Sequence, residues 1–291
     1  MSIVYLDGEY LPKEEAKVSV DDRGFVLSDG VYEVTAFYDG VPFYQDRHLQ
    51  RLRRGLEFMR IPFDAQVMDD VSRQLLTRNA LEGVPTSLVY LQITRGAAPR
   101  THQFPKVPAT PTVYAYAKVW DRPTPDRWLK GYTAVTVPDR RWGRVDVKTT
   151  CLLPNVLAAQ AAVDAGADDA ILVKDGVALE GALQNFWAVI DGTAVTHPLS
   201  QLVLNGITRG IVLELARENG IPVQERPIQV EELAQADEMF FTGSTAEVRP
   251  YVRVDGRPVG DGRVGPVTRA LYKAFHKRIE RVQAEARAAR A

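Results

Sequence analysis

Arg144-Val145-Asp146-Val147-Lys148 is the stretch on which the reading of this chain turns. Polar and apolar residues alternate through it with the period of a half-buried strand, and the strand so predicted ends on a primary amine. A helix and a short strand later comes the acid–glycine pair Glu180-Gly181. An amine at a strand end, partnered at a distance by a carboxylate, is what chemistry on pyridoxal phosphate (PLP) requires. The amine forms an imine with the cofactor aldehyde. The carboxylate keeps the pyridine nitrogen protonated, so the ring draws off the electrons of a carbanion. Either residue alone has a plainer reading, since a strand-end lysine is ordinarily a solvated head on an apolar stem.

The whole chain narrows the possibilities. Its 291 residues are enough for a sizeable core, in one large domain or two medium ones. Hydrophobic content of 45% with 25% charged residues excludes a disordered chain and points to a globular one. A net charge of −1 gives no general attraction to nucleic acid or to an anionic membrane. With 27 arginines against 9 lysines, few amines are candidates for an imine. Cys151 is the only cysteine, so no internal disulfide forms and a reducing cytosol suits the chain. Apolar runs stop far short of the ~20 residues of a membrane span. Asp7 falls where a signal peptide would be apolar, so a soluble cytoplasmic protein is expected. No metal-ligand spacing stands out.

The first 45 residues read as strands and turns, with hairpins at Asp7-Gly8 and Asp39-Gly40 around a strand Val31–Tyr38. Amphipathic helices are predicted over Arg47–Met59, with Leu49, Leu52, Leu56 and Met59 on one face, and over Gln66–Asn79. Strands Ser87–Thr94 and Pro111–Trp120 flank a long polar loop, Arg95–Thr110. A loop of that length in a compact domain is normally functional or mobile. The Pro-rich, charged segment 121–127 is the best linker, dividing a small domain 1–120 from a larger one 128–291. Beyond it come a strand Tyr132–Val137, the Lys148 strand and a helix from Pro154 to about Ala165. Hairpins at Asp175-Gly176 and Asp191-Gly192 follow, then helices from about Thr208 and Pro266. The fold class is α+β.

A PLP enzyme must also hold a phosphate. Gly206-Ile207-Thr208-Arg209 opens a helix, where backbone N–H groups and the Thr208 hydroxyl suit an anion. Thr242-Gly243-Ser244-Thr245 is a second hydroxyl cluster, and either could be a plain helix cap or turn instead. Arg51, on the first helix, is a candidate to complete the site.

These words recur together in one family. Asp22-Arg23-Gly24, Ser28-Asp29-Gly30-Val31-Tyr32-Glu33, His48-Leu49-Gln50-Arg51-Leu52 and Asp146-Val147-Lys148 resemble, in order, those of the fold-type IV PLP-dependent aminotransferases. So do Glu180-Gly181 with Asn185, Gly206-Ile207-Thr208-Arg209 and Thr242-Gly243-Ser244-Thr245-Ala246-Glu247. The chain is most similar to the D-amino-acid transaminases, up to about Ala274. The resemblance implies a small α/β N-terminal domain and a larger, β-rich α/β C-terminal one, with PLP between them in a homodimer. It implies Lys148 as the imine lysine and proton carrier, and Glu180 as the partner of the pyridine nitrogen. Arg51, Ile207, Thr208 and Ser244 would hold the phosphate, and Leu204 would pack on the ring. Tyr32 and the loop would meet the substrate. Arg100 and His102 match an Arg-x-His pair that, supplied by the neighbouring subunit, binds the substrate carboxylate in D-amino-acid transaminases. A planar guanidinium fork with an imidazole beside it suits a carboxylate, although composition alone would make the loop a solvated basic turn.

The chain departs from the family between Glu180-Gly181 and Asn185, where a common run of serines is replaced by Ala182-Leu183-Gln184. That implies lost hydroxyls and, through Leu183, a drier pocket. Cys151 is expected to be a buried small apolar residue, and His48, His197 and His276 to be structural or solvated. The activity expected is transfer of the amino group of D-alanine- or D-glutamate-type amino acids to 2-oxo acids. Its rivals are a branched-chain L-amino-acid or (R)-amine transaminase, an aminodeoxychorismate-lyase-like enzyme, and a non-catalytic scaffold. Intact Lys148 and Glu180 argue against the scaffold, and Arg100 and His102 against the branched-chain and amine readings.

Overall fold

Asp-Gly pairs turn the chain where the sequence predicts. In the computed structural model, which describes residues 2–289, they join β1 (Ile3–Leu6) to β2 (Glu9–Pro12) and β3 (Gly30–Tyr38) to β4 (Val41–Pro42). Asp7 and Asp39 lie at φ 51° and 48° and are followed by glycines also at positive φ, the backbone of a two-residue hairpin turn. With β5 (Thr86–Thr94) and β6 (Thr112–Val119), these strands form an antiparallel sheet in the order β2-β1-β6-β5-β3-β4. Alternation sorts the side chains of its strands. Val31, Phe37, Val89, Leu91, Ile93 and Ala115 enter the core, against Leu49, Leu52 and Leu56 from α2 (Gln45–Met59) and Leu75 and Leu76 from α3 (Val67–Arg78). A five-residue helix, Arg23–Leu27, interrupts the run of strands expected at the start of the chain, because Asp22 caps it by accepting from the Gly24 and Phe25 amides.

This sheet and its helices belong to one compact unit, the described residues up to Asp121 together with Val147–Cys151 and residues 282–289; Arg122–Asp146 and Leu152–Arg281 form the second. Segment 121–127, expected as a linker, is not structureless. Thr124 caps a short helix, Pro125–Lys130, and Trp128 within it donates its indole N–H to the Val248 carbonyl.

The second unit is built on a larger sheet. It comprises β7 (Tyr132–Pro138), β8 (Asp169–Lys174), β9 (Val177–Gly181), β10 (Asn185–Ile190), β11 (Thr193–Thr196), β12 (Val223–Glu225), β13 (Ile228–Gln229), β14 (Glu238–Gly243), β15 (Glu247–Val254) and β16 (Arg257–Pro258). The order is β12-β11-β10-β14-β15-β7-β8-β9-β13, with β16 on β15. Asn185 of β10 also pairs with Glu180 of β9, so the path from β9 through β8, β7, β15 and β14 to β10 closes on itself. The helices Leu153–Asp164, Ile207–Glu218 and Pro266–Ala288 start close to Pro154, Thr208 and Pro266, where the sequence predicts them.

The last of these helices is capped from the sheet. The Glu238 carboxylate accepts from the Val267 and Thr268 amides at 2.9 and 2.7 Å. Gly265 makes room for it, since a Cβ there would sit 2.1 Å from the carboxyl carbon. Glu238→Ala leaves these donors without their acceptor and should cost about 1–3 kcal/mol. The check is urea unfolding, as a lowered midpoint at unchanged slope; an unmoved midpoint would show that the cap contributes nothing.

Candidate active site

Lys148 is not on a strand. Residues 145–147 are turn and bend, with irregular backbone at Arg144 and Lys148, and Arg144 and Asp146, one alternation apart, pair with each other at 2.9 Å instead of lining a ladder. What holds the lysine is a short attachment to β3. The Tyr32 amide donates to the Lys148 carbonyl at 3.1 Å, Val31 forms a single bridge with Thr149, and Val147 joins the core of the first unit. The half-buried amine then lies 4.1 Å from the centre of the Tyr32 ring. Tyr32 belongs to a row across the sheet face away from the helices. It stacks on Tyr90, and Tyr90 stacks on Tyr116.

Glu33 points to the opposite face, into α2. Its buried carboxylate accepts from Arg51 Nε at 2.6 Å, from Arg51 Nη2 at 2.9 Å and from His48 Nδ1 at 2.9 Å. Burial alone would raise its pKa, but the Arg51 guanidinium and the His48 hydrogen bond hold it well below the ordinary carboxylate range. Burial lowers His48 in turn, against the pull of Glu33. His48 is therefore structural, as expected, and Arg51 is fixed in place by a residue the sequence reading left without a role.

The second unit places Glu180 at the closure of its sheet. Oε1 accepts from Asn185 Nδ2 at 2.6 Å and from the Leu204 amide at 2.8 Å, and Oε2 from Arg141 Nη1. Arg141 is itself gripped by Asp139, at 2.8 and 3.0 Å. Burial pushes the Glu180 carboxyl up, outweighing the opposing pull of Arg141. Asn185 also donates to the Leu204 carbonyl, and Gly206 is required beside it, since a Cβ there would lie 1.9 Å from the Asn185 amide oxygen. Gly206 is the N-cap of the helix that starts at Ile207 and offers no side-chain acceptor to its first turn. The amides around Ile207 and buried Thr208 are thus the donors an anion takes. Ser244 lies in the turn between β14 and β15; Thr242 at its edge is committed to the Trp187 indole, at 3.0 Å.

Two expectations are corrected. Lys148 is set by a turn rather than a strand end. Cys151 is half-buried, with its sulfur 3.8 Å from the Ser28 carbonyl, not a buried packing residue. Leu183 is 70% exposed, while Gln184 donates to Asp169 at 3.0 Å. Arg209, to which the sequence reading gave no role, turns inward to the His197 carbonyl and Glu225. The sequence reading missed Arg141 and Asp139. A doubled arginine after an acid, Asp139-Arg140-Arg141, was the available signal, but nothing in it told which arginine turns inward. Arg100 and His102 are exposed, in the Arg95–Thr110 loop of the first unit.

The first unit holds the candidate amine, Lys148, and the second the buried Glu180 carboxylate and the uncapped helix terminus, the residue types that PLP chemistry requires. The family described as Amino-transferase class IV matches residues 30–254. The D-alanine aminotransferase of Staphylococcus haemolyticus is 42% identical over 96% of this chain and 99% of its own length, and that of Bacillus licheniformis 37% over 95% and 96%. Among solved structures, the branched-chain amino acid aminotransferase of Escherichia coli superposes with a TM-score of 0.89 at 28% identity, covering 95% of this chain and 94% of that one. The T.th. branched-chain enzyme with pyridoxamine 5'-phosphate gives 0.87 at 28%, covering 96% and 94%. The chain belongs to the class IV aminotransferases, PLP-dependent enzymes of fold type IV.

The Glu33 cluster makes a pH prediction. A carboxyl held low in the fold contributes fully above its unfolded pKa of about 4.3 and loses that contribution as pH falls toward the folded value. Glu33→Gln should therefore be about 3 kcal/mol less stable than the parent at pH 7, with the gap narrowing below about pH 4. Urea unfolding of both proteins at pH 7, 5 and 3.5 measures it; a gap that grows on acidification contradicts the sign.

Proposed function

We propose that this enzyme transfers the amino group of D-amino acids, of the D-alanine and D-glutamate type, to 2-oxo acids. The observation that carries the reading is the near-full-length likeness to D-alanine aminotransferases in a chain that has Arg100 and His102 in its long loop. The solved branched-chain enzymes match the fold as well but share less sequence.

The donor set suits PLP. An anion-binding helix terminus without its own cap fits the phosphate, and a buried carboxyl with a raised pKa fits a ring nitrogen with which it shares a proton. When bound, PLP supplies the electron sink that makes the substrate Cα–H acidic. Lys148 would hold the cofactor on its amine, and that amine would take the proton from the substrate Cα. Glu180 would hold the pyridine N–H, and is itself kept in one orientation by Asn185, the Leu204 amide and Arg141. Leu204 would pack on the ring. Arg51, oriented by Glu33, would serve the phosphate, as would Ile207, Thr208 and Ser244. Tyr32 borders the reacting carbon, and Arg100 with His102 takes the substrate carboxylate.

The active form is a homodimer in which the loop of one subunit serves the other. The helix Leu153–Asp164 supports this, because it leaves Leu153, Val156, Leu157 and Val163 exposed, more apolar surface than a free helix face keeps. The single cysteine suits the cytoplasm. Among the described residues no helix is long and apolar enough to cross a membrane.

Borohydride reduction of the purified enzyme followed by peptide mapping should place the pyridoxyl group on Lys148; finding it on Lys130 or Lys174 would overturn the assignment. In the visible spectrum, D-alanine and D-glutamate should convert the cofactor to its amine form, pyruvate or 2-oxoglutarate should restore it, and L-enantiomers should be far slower. Arg100→Ala removes a charge-assisted contact made in both ground and transition states, so KM for D-alanine should rise by about ten-fold or more while kcat falls less. Efficient turnover of L-leucine with none of D-alanine sinks the substrate assignment.

A further inference from the structure

The side chains of Asp22, Arg23 and Asp29, from two of the recurring sequence words, have no part in the site described above. The fold spends all three on one object, the neck of the Arg95–Thr110 loop. Asp22 accepts from the Thr94 hydroxyl at 2.8 Å, and that hydroxyl accepts from the Gly96 amide at 3.1 Å. The Arg23 amide donates to the Gly96 carbonyl and the Ala98 amide to the Asp21 carbonyl. Gly24 is needed because a Cβ there would lie 2.2 Å from Thr94 Cγ2. Gly96 is needed where the two ends of the loop meet: its φ is 93°, and a Cβ would lie 1.8 Å from the Thr110 carbonyl oxygen.

Beneath the neck is a buried ion cluster. The Asp29 carboxylate accepts from Arg23 Nε at 2.8 Å, from Arg95 Nε at 2.7 Å and from Arg95 Nη2 at 3.0 Å. Arg95 also donates to the Met59 and Arg60 carbonyls at the end of α2 and so cannot swing. Each arginine then reaches out to the loop. Arg23 Nη1 donates to the Thr101 carbonyl at 2.7 Å, and the Arg95 guanidinium lies 3.7 Å from the centre of the Phe104 ring. Thr101 stands between Arg100 and His102, and Phe104 lies two residues beyond. An otherwise exposed loop is thus gripped on both sides of His102 by two arginines that share one buried carboxylate.

We propose that Arg23, Asp29, Arg95 and Phe104 are a mount that sets the position of Arg100 and His102, and so governs how tightly the enzyme holds the substrate carboxylate without touching it. The inference rests on the carboxylate-binding reading of Arg100 and His102. A guanidinium fork pairs bidentately only over a narrow range of angle and distance, and a polar loop of this length would otherwise have to be ordered at each binding event. Phe104 is the member to test, because it is 48% exposed and its removal leaves the buried cluster whole.

The experiment compares holoenzyme carrying Phe104→Ala, Phe104→Tyr, Arg100→Ala with His102→Ala, and those two with Phe104→Ala. Steady-state kinetics with D-alanine and 2-oxoglutarate are read beside amide hydrogen exchange of the peptide covering residues 96–106. Phe104→Ala should raise KM for D-alanine about three- to ten-fold, the size of a cation–π anchor, with a smaller fall in kcat and faster exchange in the peptide. Phe104→Tyr should keep the parent values. With Arg100 and His102 already replaced, Phe104→Ala should add nothing to KM, since it acts through them. If Phe104→Ala leaves KM and exchange at parent values while the Arg100→Ala/His102→Ala protein has a raised KM, the mount is wrong and the carboxylate reading stands. A full Phe104→Ala effect in the absence of both residues also overturns the mount. If replacing Arg100 and His102 leaves KM unchanged, the carboxylate reading falls and takes the mount's control of substrate affinity with it; exchange then shows only whether Phe104 anchors the loop.

Discussion

Two backbone hydrogen bonds, from the Tyr32 amide to the Lys148 carbonyl and from the Thr150 amide to the Gly30 carbonyl, set the position of the lysine proposed to carry the cofactor. Residues 147–151 belong to no ladder, so nothing periodic holds them. Val147 is buried beside Val31, and Gly55 on α2 is what lets both approach, since a Cβ there would already lie 3.2 Å from Val31. Thr150 adds a hydroxyl bond to the Ser28 carbonyl at 2.9 Å. The register of β3 therefore decides three things at once. Tyr32 faces the amine, Glu33 faces α2, and the turn before β3 receives the segment that carries the amine. A slip of one residue would exchange the two faces and send the carboxylate to the wrong side.

A second device recurs through the chain to fix arginines. One buried carboxylate is shared between cations or strong donors: Glu33 between Arg51 and His48, Asp29 between Arg23 and Arg95, Glu180 between Arg141 and the Asn185 and Leu204 donors, Glu247 between Arg122 and His276. Such clusters add little net stability, because desolvation offsets most of the attraction, yet breaking one leaves a charge stranded. Their value here is geometric. An arginine with two of its nitrogens committed keeps the direction of its fork, and each of Arg51, Arg95 and Arg141 is held in that way. The composition, three arginines for every lysine, is the mark of a chain that uses the guanidinium as a fixed part.

Sequence and tertiary structure divide the work along a physical line. Elements with a period of their own were legible: the alternating strand over Val31–Tyr38, the helices of Leu49–Leu56 and Ile207–Glu218, and the hairpins at Asp7-Gly8 and Asp175-Gly176 all follow from neighbours a few residues apart. The candidate chemistry was legible as residue types in order, Lys148, Glu180 and the Gly206-Ile207-Thr208 helix start, because the types are what the reaction constrains. Lys148 itself was misplaced on a strand. Its alternation is real, but alternation records only which side chains share a side, and Arg144 and Asp146 used that side to pair with each other.

What the sequence by itself determined is therefore the α+β composition and the family, together with the residues proposed to react. Which arginine turns inward at Asp139-Arg140-Arg141, why Asp22-Arg23-Gly24 and Asp29 are present, and how Glu33 comes to hold Arg51 were decided only in three dimensions. Each is a contact between residues far apart along the chain, 39 positions from Arg141 to Glu180 and 66 from Asp29 to Arg95. A buried charge is stabilised by whichever opposite charge the packed core brings beside it, and local periodicity carries no record of that partner.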